Sequence, residues 1–190
     1  RGGHGSRPET TVDPVVMAAA TVLRLQTIVS REVAGGESAV VTVGALHAGH
    51  AGNVIPERAE MRVSLRSYDA EVRERLMTSI DRIVRAEAAA SGAEQDPEVN
   101  LRESFPVLVN DPDACARTQA GFDRDLGPGL TVDPGQVTGS EDVGMLATAA
   151  GVPLVYWLLG GADPAAFAGV TDRDGLARVV RELPSNHSPQ

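Results

Sequence analysis

The chain contains no lysine, so all 17 of its basic residues are arginine. That skew fits a GC-rich bacterial genome better than arginine-specific recognition. Acidic residues number 26, the formal net charge is -9, and no basic stripe exists. This argues against a nucleic-acid partner, which would need cations aligned along a phosphate backbone. Aromatic residues make up only 3%, leaving Ala, Val, Leu and Ile to build the core. The single Cys115 excludes an internal disulfide framework and any CxxC metal knuckle. No apolar run approaches the roughly 20 residues that span a bilayer, so no membrane is expected. The GxGxxG and GxxxxGK[ST] spacings are both missing, which removes a nucleotide-binding α/β reading. An initiator Met is missing too. The chain starts at "RGGHGSRPET", inside what reads as a working turn, so the lack of a signal peptide carries no information about a leader.

What is present suffices for a core: 190 residues, 42% of them hydrophobic, can form one large domain or two small ones. Asp13-Pro14 is a helix start, with Asp as cap and Pro at the first helical position. Val15, Ala19, Val22, Leu25 and Val29 then recur at helical spacing and predict an amphipathic helix over 14–30. A turn at 34–38 precedes a short strand at 39–46, and "HAGHAGN" reads as a loop. In the next strand Ala59, Met61, Val63 and Leu65 alternate with Glu60, Arg62, Ser64 and Arg66, giving one buried and one polar face. Asp69 caps a second helix whose apolar positions are Val72, Leu76, Ile80 and Ile83. Glu71–Arg75 and Asp81–Arg85 add i,i+4 support. "VNLRESFPVLV" over 99–109 is expected to be an edge strand. The order is helix, strand, strand, helix, strand. One further strand ahead of Arg1 would complete a βαββαβ unit, so the chain is expected to be cut from something longer.

From about residue 111 the texture changes. A short helix is expected in "DPDACARTQAGFDRDLG", and another in "SEDVGMLATAAG" that Gly151 ends. "VPLVYWLL" is a continuous apolar run suited to a strand buried on both faces. These pieces look like the closing part of an α/β domain.

Few residues invite chemistry. His4 stands among Gly2, Gly3 and Gly5. On the residues alone it is open between an exposed imidazole in a flexible turn and a group that donates a hydrogen bond or proton to a ligand. His47 and His50 lie three apart, an offset that points two strand side chains to opposite faces, and they read as structural. Asn53 is either a turn-former or a polar ligand contact. Arg66, on the polar strand face, either pairs with an acid or grips a carboxylate in bidentate fashion. Glu141 and Asp142 complement a helix dipole, with Thr138 or Ser140 as cap. His187, in "SNHSP", would need about three partners to serve as a metal ligand.

Taken in order, "GGHGSRPETTVDPVVMAA", "LQTIVSRE", "NVIPERAEMRVSLRS", "GSEDVGML" and "SNHSP" resemble one family along nearly the whole chain. It is the zinc-dependent amidohydrolases that include aminoacylases, hippurate hydrolases and auxin-conjugate hydrolases. The resemblance implies an α/β (α+β) fold in which a ferredoxin-like βαββαβ lid and dimerisation domain is inserted into a metallohydrolase catalytic domain. Residues 1–108 would be the lid without its first strand, and residues 109–190 the C-terminal part of the catalytic domain. It further implies two divalent metal ions, zinc foremost, with manganese or cobalt compatible. The implied substrate is a small N-acyl amino acid, and the partner is a second copy bound through the lid. Carried over by position, His187 matches the last metal ligand. His4 matches a histidine that stabilises the oxyanion in the partner subunit's site, and Asn53 and Arg66 match residues that hold the substrate carboxylate. Glu141 and His50, a local variant, receive no role. The other ligands and the general base would lie upstream, so the chain alone is expected to be inactive. A cytoplasmic location follows by the same route. The alternative is a noncatalytic dimerisation or ligand-binding module.

Overall fold

In a computed structural model, residues 1–137, 139 and 141–184 are described. They divide into a larger unit, Arg1–Leu154, and a smaller one that starts at Val155. The larger unit is organised around two long antiparallel strands, β2 (Ala39–Ala48) and β4 (Ala59–Ser67). Two short strands, β1 (Gly3–His4) and β3 (Val54–Ile55), form a second antiparallel pair. Two helices, α1 (Pro14–Arg31) and α2 (Ala70–Ala90), cover one face of the β2–β4 pair. Leu25 and Ile28 of α1 meet Val72, Leu76, Ile80 and Ile83 of α2 in the core, and Val41, Val43, Val63 and Leu65 close it from the sheet.

Both helices start where the sequence says. The Asp13 carboxylate accepts from the Val15 N–H, and that of Asp69 accepts from Glu71 and Val72, filling donors that the first turn leaves open. The α2 stripe is the expected one. On α1 the buried stripe is instead Pro14, Ala18, Thr21, Leu25 and Ile28, which shares only Leu25 with the predicted set. Apolar residues surround more than half of this helix, so spacing alone fits two stripes. The occupied one includes Thr21, whose hydroxyl donates to the Met17 carbonyl at 2.9 Å and so enters the core without an open donor. Arg75 also departs from expectation: it bonds Glu37 at 2.6 Å rather than Glu71, tying the turn before β2 to α2. Arg85 does pair with Asp81, at 2.9 Å.

Beyond α2 the predicted strand at 99–109 forms no ladder, and neither does 152–159. Trp157, Leu158 and Leu159 are exposed, Leu159 at 92%. A strand exists only as one side of a ladder, and neither segment belongs to a sheet among the described residues; one bond, from the Asp111 N–H to the Leu154 carbonyl at 2.8 Å, does not make a ladder. Helix α3 (Pro112–Leu126) starts at the Asp111 cap, and α4 (Val143–Ala150) ends at Gly151 in the left-handed region, φ 63°. Thr138 and Ser140 lie outside the described residues. The smaller unit carries α5 (Arg173–Glu182), capped by the Asp172 carboxylate. No helix among the described residues is long and apolar enough to cross a membrane.

Leu25→Ala removes a side chain with no exposed surface and is expected to cost about 2–5 kcal/mol. Val16→Ala, on the exposed flank at 64%, should stay within about 0.5 kcal/mol. Urea unfolding of both variants checks which stripe is the buried one. The Ser79 and Arg82 bonds hold the Glu32 carboxyl below its ordinary value, and the Arg75 and Ala34 bonds do the same for Glu37. A depressed carboxylate pKa contributes stability above the unfolded value, 4.5, and loses it as pH falls through the folded value. The urea midpoint should therefore fall below about pH 4.5, and less steeply in a Glu32→Gln, Glu37→Gln double variant.

Candidate functional site

The outer face of the β2–β4 pair is polar, and a bulge decides which residues stand on it. Val43 pairs with Val63, but Ala45, not Gly44, pairs with Arg62. One extra residue reverses the alternation of every later side chain on β2. Val40, Thr42, Ala45 and His47 consequently lie opposite Arg66, Ser64, Arg62 and Glu60, all on the outer face. Without the bulge His47 would face the helices. His47 is exposed at the end of this row, and Arg62 bridges to Glu60 at 3.4 Å. His50 lies past the strand, in the turn that leads to Asn53.

Beyond the Ala48–Ala59 rung, the first five residues fold against the 53–57 backbone. His4 pairs with Val54, Gly3 with Ile55, and the Gly5 N–H donates to the Asn53 carbonyl at 2.8 Å. The approach explains two of the glycines. A Cβ on Gly2 would stand 2.6 Å from the Ile55 oxygen, and one on Gly5 3.1 Å from the Asn53 oxygen. These glycines admit the chain's own backbone, a use the sequence reading did not weigh. The Arg7 N–H then donates to the His4 carbonyl at 2.9 Å and closes a turn over residues 4–7.

That turn orients the imidazole. The Ser6 N–H donates to His4 Nδ1 at 3.2 Å, and Ser6 Oγ lies 2.7 Å from the same atom. A backbone N–H can only donate, so Nδ1 offers its lone pair and the neutral ring carries its proton on Nε2. The exposed ring thus has a donor available to a ligand.

His4 and Asn53 are thereby brought together, although 48 residues lie between them in sequence. Arg66 is not part of that corner. It stands on the outer face as expected, half-buried, paired in register with Val40 near the opposite end of β4. It lies seven positions along the chain from Ala59, about 23 Å at the rise of an extended strand. His187 lies outside the described residues. Among those described, no three His, Cys, Asp or Glu side chains converge as metal ligands, so the described residues do not make up the implied two-metal centre. Glu141 is exposed beside α4. Sequence reasoning missed Ser6 and the alignment of His47. The available signal for His47 was a lone glycine inside a strand pattern, which marks a bulge.

Residues 1–91 match the family described as Peptidase dimerisation domain. The hippurate hydrolase of Campylobacter jejuni is 41% identical over 114 residues, covering 60% of this chain and 29% of that protein. IAA-amino acid hydrolase ILR1-like 2 of Arabidopsis thaliana is 34% identical over 165 residues, covering 86% of this chain and 37% of that protein. The chain thus spans well under half the length of these curated relatives. The crystal structure of a tripeptidase from Staphylococcus aureus shares the fold, with a TM-score of 0.63 at 22% identity over 80% of this chain and 39% of that one. These similarities place the chain in the M20 family, with residues 1–91 matching its peptidase dimerisation domain.

Proposed function

We propose that this chain is the lid-bearing part of a metal-dependent enzyme that hydrolyses the amide bond of a small N-acyl amino acid. In this reading residues 1–108 are the lid and 109–190 belong to the catalytic domain. The observation that carries it is the His4 corner: a fixed backbone, a ring whose Nε2–H faces outward, and Asn53 beside it. Such a donor suits the oxyanion that forms when water attacks an amide carbonyl, where one preorganised hydrogen bond is worth about 2.7–4 kcal/mol. The Arg66 guanidinium would hold the substrate carboxylate, and the Asn53 amide would reach it from the side of His4. His187 is the residue of this chain that the resemblance matches to a metal ligand.

The separation of about 23 Å along β4 favours a site shared by two subunits, with Arg66 from one and the His4–Asn53 corner from its partner. The surface of α1 supports a second copy. Arg24 bridges to Glu87 of α2 at 3.4 Å, which marks the flank turned toward α2. Val15, Val16, Ala19 and Leu23 of the same helix are exposed, Leu23 at 73%. β2, against which α1 packs, has an edge that pairs with no strand among the described residues. An exposed apolar stripe and an open strand edge are both features that a second copy can cover by two-fold symmetry.

In the longer, metal-loaded protein, His4→Ala should lower kcat about 10²–10³-fold, and Arg66→Ala should chiefly raise KM. Mixing the two impaired homodimers, assayed far below the KM of the Arg66→Ala variant, tests the shared site. Half the molecules become heterodimers with one intact site each, so about a quarter of wild-type activity should return. If both groups act within one subunit, nothing returns. A purified 190-residue chain that hydrolyses N-acetyl or N-benzoyl amino acids with zinc or manganese would contradict the assignment of the remaining ligands to other residues. For the contact surface, Val16→Glu with Leu23→Glu should weaken self-association at least tenfold, about 1.4 kcal/mol, by sedimentation equilibrium. Val180→Glu on α5 should leave it unchanged.

A further inference from the structure

We infer that Ser6 is a positioning residue for His4, selecting the imidazole tautomer that presents a hydrogen-bond donor to the ligand. The inference rests on the oxyanion role proposed for His4, but its geometry stands apart from it. Ser6 makes two contacts to one atom: its N–H lies 3.2 Å from Nδ1 and its Oγ 2.7 Å from it. Because the amide must donate, Nδ1 is an acceptor, and the Ser6 hydroxyl completes the arrangement as a second donor to it.

The backbone that carries both residues is held in place. His4 is held by its rung with Val54, Gly5 by the Asn53 carbonyl, and Ser6 by the turn that the Arg7 N–H closes on the His4 carbonyl. The Ser6 hydroxyl therefore reaches Nδ1 across two residues of fixed backbone. A proton on Nδ1 would oppose the Ser6 amide hydrogen, so the turn excludes that tautomer and leaves the proton on Nε2, the nitrogen facing away from the turn. A ring in the other tautomer would offer a lone pair there, which repels a developing oxyanion instead of stabilising it. Ser6, by its amide and its hydroxyl together, thus fixes the sign of the interaction His4 can make, without itself touching the substrate.

Ring-nitrogen NMR of the 190-residue chain with labelled histidine, at pH 8, reads the tautomer directly and needs no activity. Wild type and Ser6→Thr, which keeps the hydroxyl, should show the proton on Nε2 and a hydrogen-bonded acceptor signal at Nδ1. Ser6→Ala keeps only the longer amide contact; the proton should stay on Nε2, while the Nδ1 signal shifts toward an unbonded value. An unchanged Nδ1 signal in Ser6→Ala overturns the inference, as does a wild-type ring protonated on Nδ1. Failure here leaves the subunit-mixing result untouched, and failure of mixing leaves the tautomer result untouched.

Discussion

Everything in the larger unit depends on one apolar layer, where Leu25 and Ile28 of α1 and Leu76, Ile80 and Ile83 of α2 press on Val41, Val43, Val63 and Leu65. With so few aromatic residues, the layer is built from branched aliphatic side chains that lock in few rotamers. It fixes which face of the sheet is inside, and so which face is left for chemistry. The polar bonds around it act from the rim. Glu32, Ser79 and Arg82 join the end of α1 to α2, and Glu37 with Arg75 does the same for the following turn. Being exposed, these pairs align elements that hydrophobic burial already holds together.

The site is reached from this layer by backbone alone. The strand pair carries its polar face outward, the 49–58 connection turns back beyond its end, and the first five residues lie along that connection. No large side chain separates the two segments, because Gly2 and Gly5 leave room for carbonyl oxygens to approach. His4 is therefore both exposed and held in place, a combination that suits a hydrogen-bond donor whose target arrives from outside.

How far the sequence could be read follows from the same physics. Helix α2 was fully legible, because its four apolar core positions form one stripe among charges. Helix α1 was legible in extent and cap but not in orientation, since Val and Ala occur on nearly every side of it. The segments at 99–109 and 152–159 have strand composition, yet pairing is a property of two segments, and composition describes one. Alternation on β4 located Arg66 correctly. The union of His4 and Asn53 was invisible to spacing, because a ladder between residues 4 and 54 leaves no local periodicity; only the family resemblance put both residues in one site. The histidine tautomer was out of reach as well, being set by a turn geometry that "HGSR" permits but does not spell out.

Gly44 acts on β2 much as a reading frame acts on a message. Upstream of it, odd-numbered residues of the strand face the helices; downstream, even-numbered ones do. A change of length by one residue on either side would shift the phase of all that follows, burying His47 beneath the helices and bringing Leu46 out beside Arg62. The position of this glycine, more than the identity of the residues after it, determines what the outer face displays. In a family that varies its substrates on a shared framework, sliding such a bulge along a strand would rewrite a binding surface without replacing a single side chain.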